Sequence, residues 1–179
     1  LGYSDKDAAA AIKALPAVLA LAQAGDIELG TASEYVTKAV MGMGLAFDDA
    51  GRVADVLAKG ANATNTSVEG LAQALSYAAP VANTLGVSLE STVAIIGKFA
   101  DAGIDASRAG TALNSIMSQF ANPLSSFRKE LGAAGIVTTN FEEALHQLAA
   151  KGKDGERAIN AVGLEAGPAL RALLNQGMG

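Results

Sequence analysis

The side chains able to carry chemistry are few in this sequence. His146 is the single histidine, and the 179 residues include no cysteine. A lone imidazole without thiolates or a nearby Glu-x-x-His pattern cannot supply the ligands of a zinc site. We therefore predict that His146 lies on the solvent side of its helix, and that the chain binds no metal.

Paired carboxylates are the other candidates for chemistry. They form three clusters: Asp48 with Asp49, Asp101 with Asp105, and Glu142 with Glu143. Each cluster adjoins a predicted helix terminus, where interaction with the helix dipole stabilises a carboxylate by about 0.3–1 kcal/mol without any catalytic role. The sequence also contains no nucleophile elbow, Walker loop or dinucleotide fingerprint. We predict no catalytic, cofactor-binding or metal-binding residue, and no enzyme activity.

Composition narrows the class of protein. Half of the residues are apolar but only 4% are aromatic, so the core must consist mainly of closely packed Ala, Val, Leu and Ile. A net charge of −5 argues against direct binding of nucleic acid, which requires cationic residues. The most apolar stretches, 14–24 and 93–100, are shorter than the ~20 residues of a membrane span. With no basic, apolar leader, the chain reads as a segment excised from a longer protein.

Start and stop signals recur along the chain and predict many short helices. The predicted spans are 5–15, 16–25, 29–43, 48–59, a helix from 66 that Pro80 interrupts, 89–100, 106–121, 122–131, 140–150, 153–162 and 164–176. The first two are either separate helices or one helix kinked at Pro16, with Ile12 and Leu15 on the buried side. Leu29 opens the buried face of the next helix. The β-branched run 136–139 is either an extended connector or a short edge strand.

Capping residues mark several of these boundaries. The predicted N-caps are Asp48, Thr66 in a capping box with Glu69, Ser88, Asn122 and Asn140. Gly103 is predicted to end a helix in the left-handed conformation. In the helix that follows Ser88, apolar residues recur at i, i+4, i+7 and i+11, and the next helix repeats that interval.

An internal echo indicates a repeated unit. Gly44-Leu45 followed by Ala50-Gly51 resembles Gly103-Ile104 followed by Ala109-Gly110, at a shift of 59 residues. We predict an all-α fold, a compact array of about eight to ten short helices arranged as stacked two-helix hairpins. The abundant Ala and Gly residues serve either packing within the domain or self-association.

Three motifs carry a resemblance to a known family. They are Asp48-Asp49-Ala50-Gly51-Arg52-Val53-Ala54-Asp55-Val56-Leu57, Leu75-Ser76-Tyr77-Ala78-Ala79-Pro80-Val81-Ala82 and Ala102-Gly103-Ile104-Asp105-Ala106-Ser107-Arg108-Ala109-Gly110-Thr111-Ala112-Leu113. In this order and spacing, from Leu15 to Pro123, the chain resembles the core region of phage tail tape-measure proteins. We accordingly expect one helical domain over 1–179, with a core-like part at 1–123 and a helical C-terminal extension at 124–179.

The resemblance implies a structural role in the virion tail. Such proteins act as scaffold and ruler inside the growing tail tube, contact tail tube and tail assembly proteins, self-associate, and leave ahead of the DNA during infection. Assembly would place the protein in the host cytoplasm. Frequent Gly and Pro without sustained heptads predict a compact segment, with the ruler in flanking coiled coils. Two alternatives stay open: a membrane-penetrating helical module and a helical protein-interaction adaptor.

Overall fold

Helices make up nearly all of the chain in the computed structural model, which describes residues 5–177. They are α1 (Asp5–Gly25), α2 (Leu29–Gly42), α3 (Ala50–Ala63), α4 (Val68–Leu85), α5 (Leu89–Asp101), α6 (Ala106–Ala121), α7 (Ser126–Ala133), α8 (Phe141–Lys151), α9 (Glu156–Ala161) and α10 (Ala166–Asn175). Short 3₁₀ turns at Phe47–Asp49 and Gly152–Gly155 precede α3 and α9. Residues 5–177 contain no strand, and 136–139 form a connector. The predicted all-α class and number of helices are confirmed.

The repeated unit contains three helices, not the two that we predicted. In α1–α3 and again in α4–α6, the third helix packs mainly on the first, while the second lies beside both. The loops also correspond, because Asp26 and Gly86 adopt positive φ after the first helix, and Gly44 and Gly103 do so after the second. The two-helix echo covered only the later part of each unit, where the Gly and Ala-Gly signals lie.

The two units pack side by side, and the C-terminal helices close one end of the array. Helices α2 and α3 of the first unit contact α4, and α3 also contacts α5. Helix α10 lies against α5 and α6, much as α4 lies against α2 and α3. One cluster of buried, mostly aliphatic side chains runs from Ala14 to Leu173. The predicted aliphatic composition of the core is therefore confirmed.

Neither interior proline breaks its helix. Helix α1 continues through Pro16 and α4 through Pro80, so the predicted interruption at Pro80 is wrong. Both prolines lie on exposed positions of their helices. There the carbonyl that loses its amide partner can bond to water while the opposite face stays packed.

The buried face of α1 also differs from the prediction. Ile12 is 73% exposed and Leu15 is 43% exposed, and the helix instead buries Ala10, Ala14 and Val18. Small side chains face α3 because they allow the two helices to approach closely. Leu29, assigned to the buried face of α2, is 39% exposed as well.

Several predicted helix ends are confirmed. The Ser88 hydroxyl accepts a hydrogen bond from the Ser91 amide, and the Asn140 side-chain oxygen accepts one from the Glu143 amide. Gly103 has φ 82° and follows α5, as expected of a left-handed terminator.

Three predicted caps are wrong by one to three residues. The observed N-caps are Asp49 in place of Asp48, Ser67 in place of Thr66, and Ser125 in place of Asn122. A 3₁₀ turn at Phe47–Asp49 delays the start of α3. The Ser67 hydroxyl accepts from the Gly70 amide at 3.0 Å, which satisfies the first turn of α4. The Asn122 side chain accepts instead from the Leu124 amide, an Asx-turn inside the loop.

Candidate functional site

The sequence-predicted chemical residues lie apart from one another. His146 is exposed on α8, as predicted, beside a groove that also contacts Lys98 and Glu142. Within residues 5–177, no group of three His, Cys, Asp or Glu side chains is placed to hold a metal ion. His146 therefore has the surface position expected from the sequence.

The carboxylate clusters hold helix ends and loops. Asp105 accepts from the Arg108 amide at 3.0 Å and caps α6, and Asp101 accepts from the Asn65 amide at 2.8 Å. Glu143 accepts from the Thr138 hydroxyl at 2.6 Å, which fixes the connector before α8. These contacts agree with the predicted structural role.

One ion-pair network joins the two three-helix units. Arg52 on α3 donates to Asp49 at 3.2 Å and to Glu90 on α5 at 2.5 Å. These hydrogen bonds hold the pKa of the Glu90 carboxyl below its usual value and raise the pKa of the Arg52 guanidinium. The Arg52 and Glu90 side chains remain partly exposed, so their ion pair contributes only modestly to the stability of the contact between the units.

The two Ala-Gly pairs lie where the third helix of each unit crosses the first. A Cβ atom added at Gly110 would lie 2.5 Å from the Ala74 carbonyl oxygen, so α6 and α4 meet backbone to backbone. A Cβ at Gly51 would lie 4.0 Å from the Ala14 Cα, an ordinary contact. The role of these two glycines is to let the third helix of a unit lie close to the first.

The third motif, 75–82, lies on α4 and contributes Leu75 and Ala79 to the side that faces α2. Leu75 and Ala79 are 1% and 2% exposed. A Cβ at Gly42 on α2 would approach the Ala79 Cβ to 3.0 Å, which is tighter than usual packing. All three motifs therefore contribute residues to contacts between helices, a role that the sequence suggested only through its small residues.

The open grooves of the described residues are shallow features between helices. One groove of about 730 Å³ lies between α6 and the loop that precedes α10. Its wall includes Arg108 and Thr111 on one side and Leu164, which is 96% exposed, on the other. None of the residues whose pKa is shifted from its usual value lines this groove.

Among the described residues, α1 alone is long and apolar enough to cross a membrane, judged by length and composition. The apolar stretches 14–24 and 93–100 predict no segment of that length, and α1 reaches it by extending from Asp5 to Gly25. Helices packed in protein cores pass the same test, so this match is weak evidence. In this structure α1 packs along α3 and α2.

The fold and the positions of its motifs define an all-α protein whose recognisable sequence signals lie at contacts between helices. Comparison with known proteins gives the particular family. The chain belongs to the phage-related minor tail protein family, whose model matches residues 1–167. The match extends past Pro123, where the predicted resemblance ended.

Two relatives are named as tape measure proteins, which confirms the resemblance stated from the sequence. The tape measure protein of Pneumococcus phage Dp-1 is 41% identical over 123 residues, covering 69% of this chain and 11% of that protein. The probable tape measure protein of Escherichia phage P2 is 37% identical over 105 residues, covering 56% of this chain and 13% of that protein. The chain thus spans only a small part of these relatives. No solved structure matches it.

Proposed function

We propose that this chain is a segment of a tape-measure protein, which scaffolds tail assembly, sets tail length and is ejected during infection. The observation that carries the proposal is the family match over residues 1–167, together with the two relatives. The proposed location is the virion tail, after assembly in the host cytoplasm. The proposed partners are tail tube and tail assembly proteins, with self-association in the longer protein.

The segment contributes a folded structural domain and no chemistry of its own. Gly51 and Gly110 of its motifs lie at helix crossings, Asp105 caps α6, and Glu143 holds the connector before α8. The net charge of −5 supports a role without direct contact to DNA. The continuous buried cluster from Ala14 to Leu173 supports one domain over 1–179, of which residues 1–4 and 178–179 lie outside the described part. The division at 123 stays a prediction.

The ruler itself resides mainly in other regions of the longer protein. One continuous helix of 179 residues would be ~270 Å long, whereas a compact domain of this size is roughly 40 Å across. A segment with this fold therefore adds little length to an extended ruler.

In-frame deletion of this segment from the intact gene tests the proposal, with tail lengths measured by electron microscopy. We expect either tails shortened by no more than about 40 Å or a loss of tail assembly. The control is deletion of 179 residues from a heptad-rich region of the same gene, expected to shorten tails by ~270 Å. Shortening by that amount on deletion of this segment would contradict the compact role. Normal tails that lack the protein would contradict a tape-measure function.

A further inference from the structure

Helix α1 has a second apolar face that nothing in the described residues covers. Ala8, Ile12, Leu15 and Leu19 recur at i, i+4, i+7 and i+11, the spacing of a helix face that packs against another helix. All four are exposed, with Leu19 at 42%, and they point away from the residues that α1 buries against α3. We call these four residues the α1 stripe.

The internal repeat identifies the counterpart of the α1 stripe on α4. Asp26 and Gly86 hold the same left-handed position after the first helix of each unit, which aligns α1 with α4 at a shift of 60 residues. The stripe then corresponds, in order, to Val68, Ala72, Leu75 and Ala79. The same face of the repeated helix is thus apolar in both units.

On α4 this face is covered by the preceding unit. Val68 and Leu75 are each 1% exposed. A Cβ at Gly25 would lie 3.0 Å from Val68, and Ala39 and Gly42 of α2 line the narrow gap beside Leu75. The larger side chains of α4 therefore project toward a helix with small residues.

The opposite end of the array is closed. Helix α10 covers α5 and α6, and none of its large apolar side chains is exposed: its exposed residues are Pro168 and Asn175, and Arg171 pairs with Glu156 of α9. A repeat array needs such a polar outer surface at an end that faces solvent. The α1 stripe lacks that surface, which distinguishes it from a terminal cap.

We propose that the α1 stripe docks a further three-helix unit, through a helix of the α2 type with small residues at the positions of Ala39 and Gly42. The established contact between α2 and α4 is the template for this interface. A second copy of this chain has no such helix free, because its α2 is covered by α4 and its α5 by α10. The occupant is therefore another unit of the longer protein. This inference rests on the proposed function, which makes the chain a segment of a longer protein, whereas the fusion experiment below tests the contact itself.

A fusion protein tests the proposal by supplying the missing unit. A copy of residues 8–67, which contains all three helices of a unit from Ala8 onward, is placed directly before Ala8, because Ser67 precedes Val68 in the natural repeat. Cysteine substitutions are made only in the original copy. The chain has no cysteine, so Leu15→Cys provides a single thiol whose maleimide labelling reports exposure. We expect labelling at least ~10-fold slower in the fusion than in the 179-residue chain. Lys13→Cys should label equally fast in both, because its counterpart Gln73 is exposed beside α2.

A matched variant shows whether the slower labelling comes from the predicted contact. Gly42→Leu in the appended copy alone should restore fast labelling, since even a Cβ there would crowd the facing helix. Equal labelling of Leu15→Cys in fusion and single chain would overturn the proposal, as would an appended segment that adds no helical circular dichroism.

Two other measurements would assign the face to a different occupant and so also overturn the proposal. One is dimerisation of the 179-residue chain in analytical ultracentrifugation that Leu15→Glu abolishes. The other is binding to phosphatidylcholine–phosphatidylglycerol vesicles that Leu15→Glu abolishes. The proposal expects the 179-residue chain to show neither effect.

Discussion

The two three-helix units share a topology but differ in how closely their helices pack. In α4–α6, the first helix is covered on one face by α6 and on another by α2. In α1–α3, the first helix is covered by α3 and leaves Ile12, Leu15 and Leu19 exposed. An apolar residue on the first helix of a unit therefore contributes more to stability where a neighbouring unit covers it than where it faces solvent.

The largest expected difference is at Leu75 and Leu15, which hold equivalent positions on α4 and α1. Leu75 is 1% exposed and Leu15 is 43% exposed. Leu75→Ala should lower the free energy of unfolding by about 2–5 kcal/mol, because it opens a cavity in the core. Leu15→Ala should lower it by less than about 1 kcal/mol, because much of that side chain is already in water. Urea denaturation followed by circular dichroism measures both variants.

Equal losses for these two variants would show that α1 is covered in solution. Leu15→Ala measured across a range of protein concentrations separates the reasons for such a result. A loss that grows with concentration would indicate covering by another molecule.

The next largest effect is expected at the helix crossings. Gly110→Ala places its Cβ 2.5 Å from the Ala74 carbonyl oxygen, so α4 and α6 must separate, at a cost of about 1–3 kcal/mol. Gly51→Ala meets only contacts at 4.0 Å and should raise stability by up to about 1 kcal/mol, because Ala favours a helix more than Gly does. Thermal unfolding should therefore shift in opposite directions for the two variants. A stabilising Gly110→Ala would contradict the close crossing.

The sequence predicted where the helices lie better than which side of each helix is buried. Local signals were sufficient for the helix number, for the Ser88 and Asn140 caps and for the Gly103 terminator. The Ala-Gly pairs identified the segments that recur, but nothing local distinguishes the crowded Gly110 from the less crowded Gly51. That difference depends on the distance between backbones, which tertiary packing sets.

Helix α1 shows why a face can be assigned wrongly. Ile12 and Leu15 are its most obvious apolar residues, and hydrophobicity alone places them in the core. The helix instead packs through Ala14 and Val18, because smaller side chains permit a closer approach to α3. The sequence also does not predict that Pro16 and Pro80 lie on exposed sides of their helices. A proline indicates that a backbone hydrogen bond is lost, but not which side of the helix loses it.

A smaller contrast concerns the caps of the second helix in each unit. Ser88 caps α5 with its hydroxyl, whereas Glu28 at the start of α2 makes no side-chain cap. Ser88→Ala should destabilise the protein by about 1 kcal/mol, and Glu28→Ser should stabilise it by a similar or smaller amount. Chemical denaturation checks both, with Ser33→Ala in the interior of α2 as the control. No gain from Glu28→Ser would mean that the entry to α2 cannot adopt the capped geometry.

The smallest expected effect is at the ion pair that joins the units. Because Arg52 lowers the pKa of Glu90, the pair stabilises the fold above the usual carboxyl value of 4.5, and this stability is lost as the pH falls through the lowered value in the folded state. Glu90→Gln should therefore cost at most about 0.5 kcal/mol at neutral pH, since both partners are partly exposed. The difference from wild type should shrink toward zero in acid, and also in high salt, which screens exposed pairs. Unfolding midpoints measured against pH test this, with Arg52→Gln changing stability in the same direction by at least as much, because it also removes the contact with Asp49. A penalty for Glu90→Gln that grows in acid would show that Glu90 stabilises the fold through some other contact.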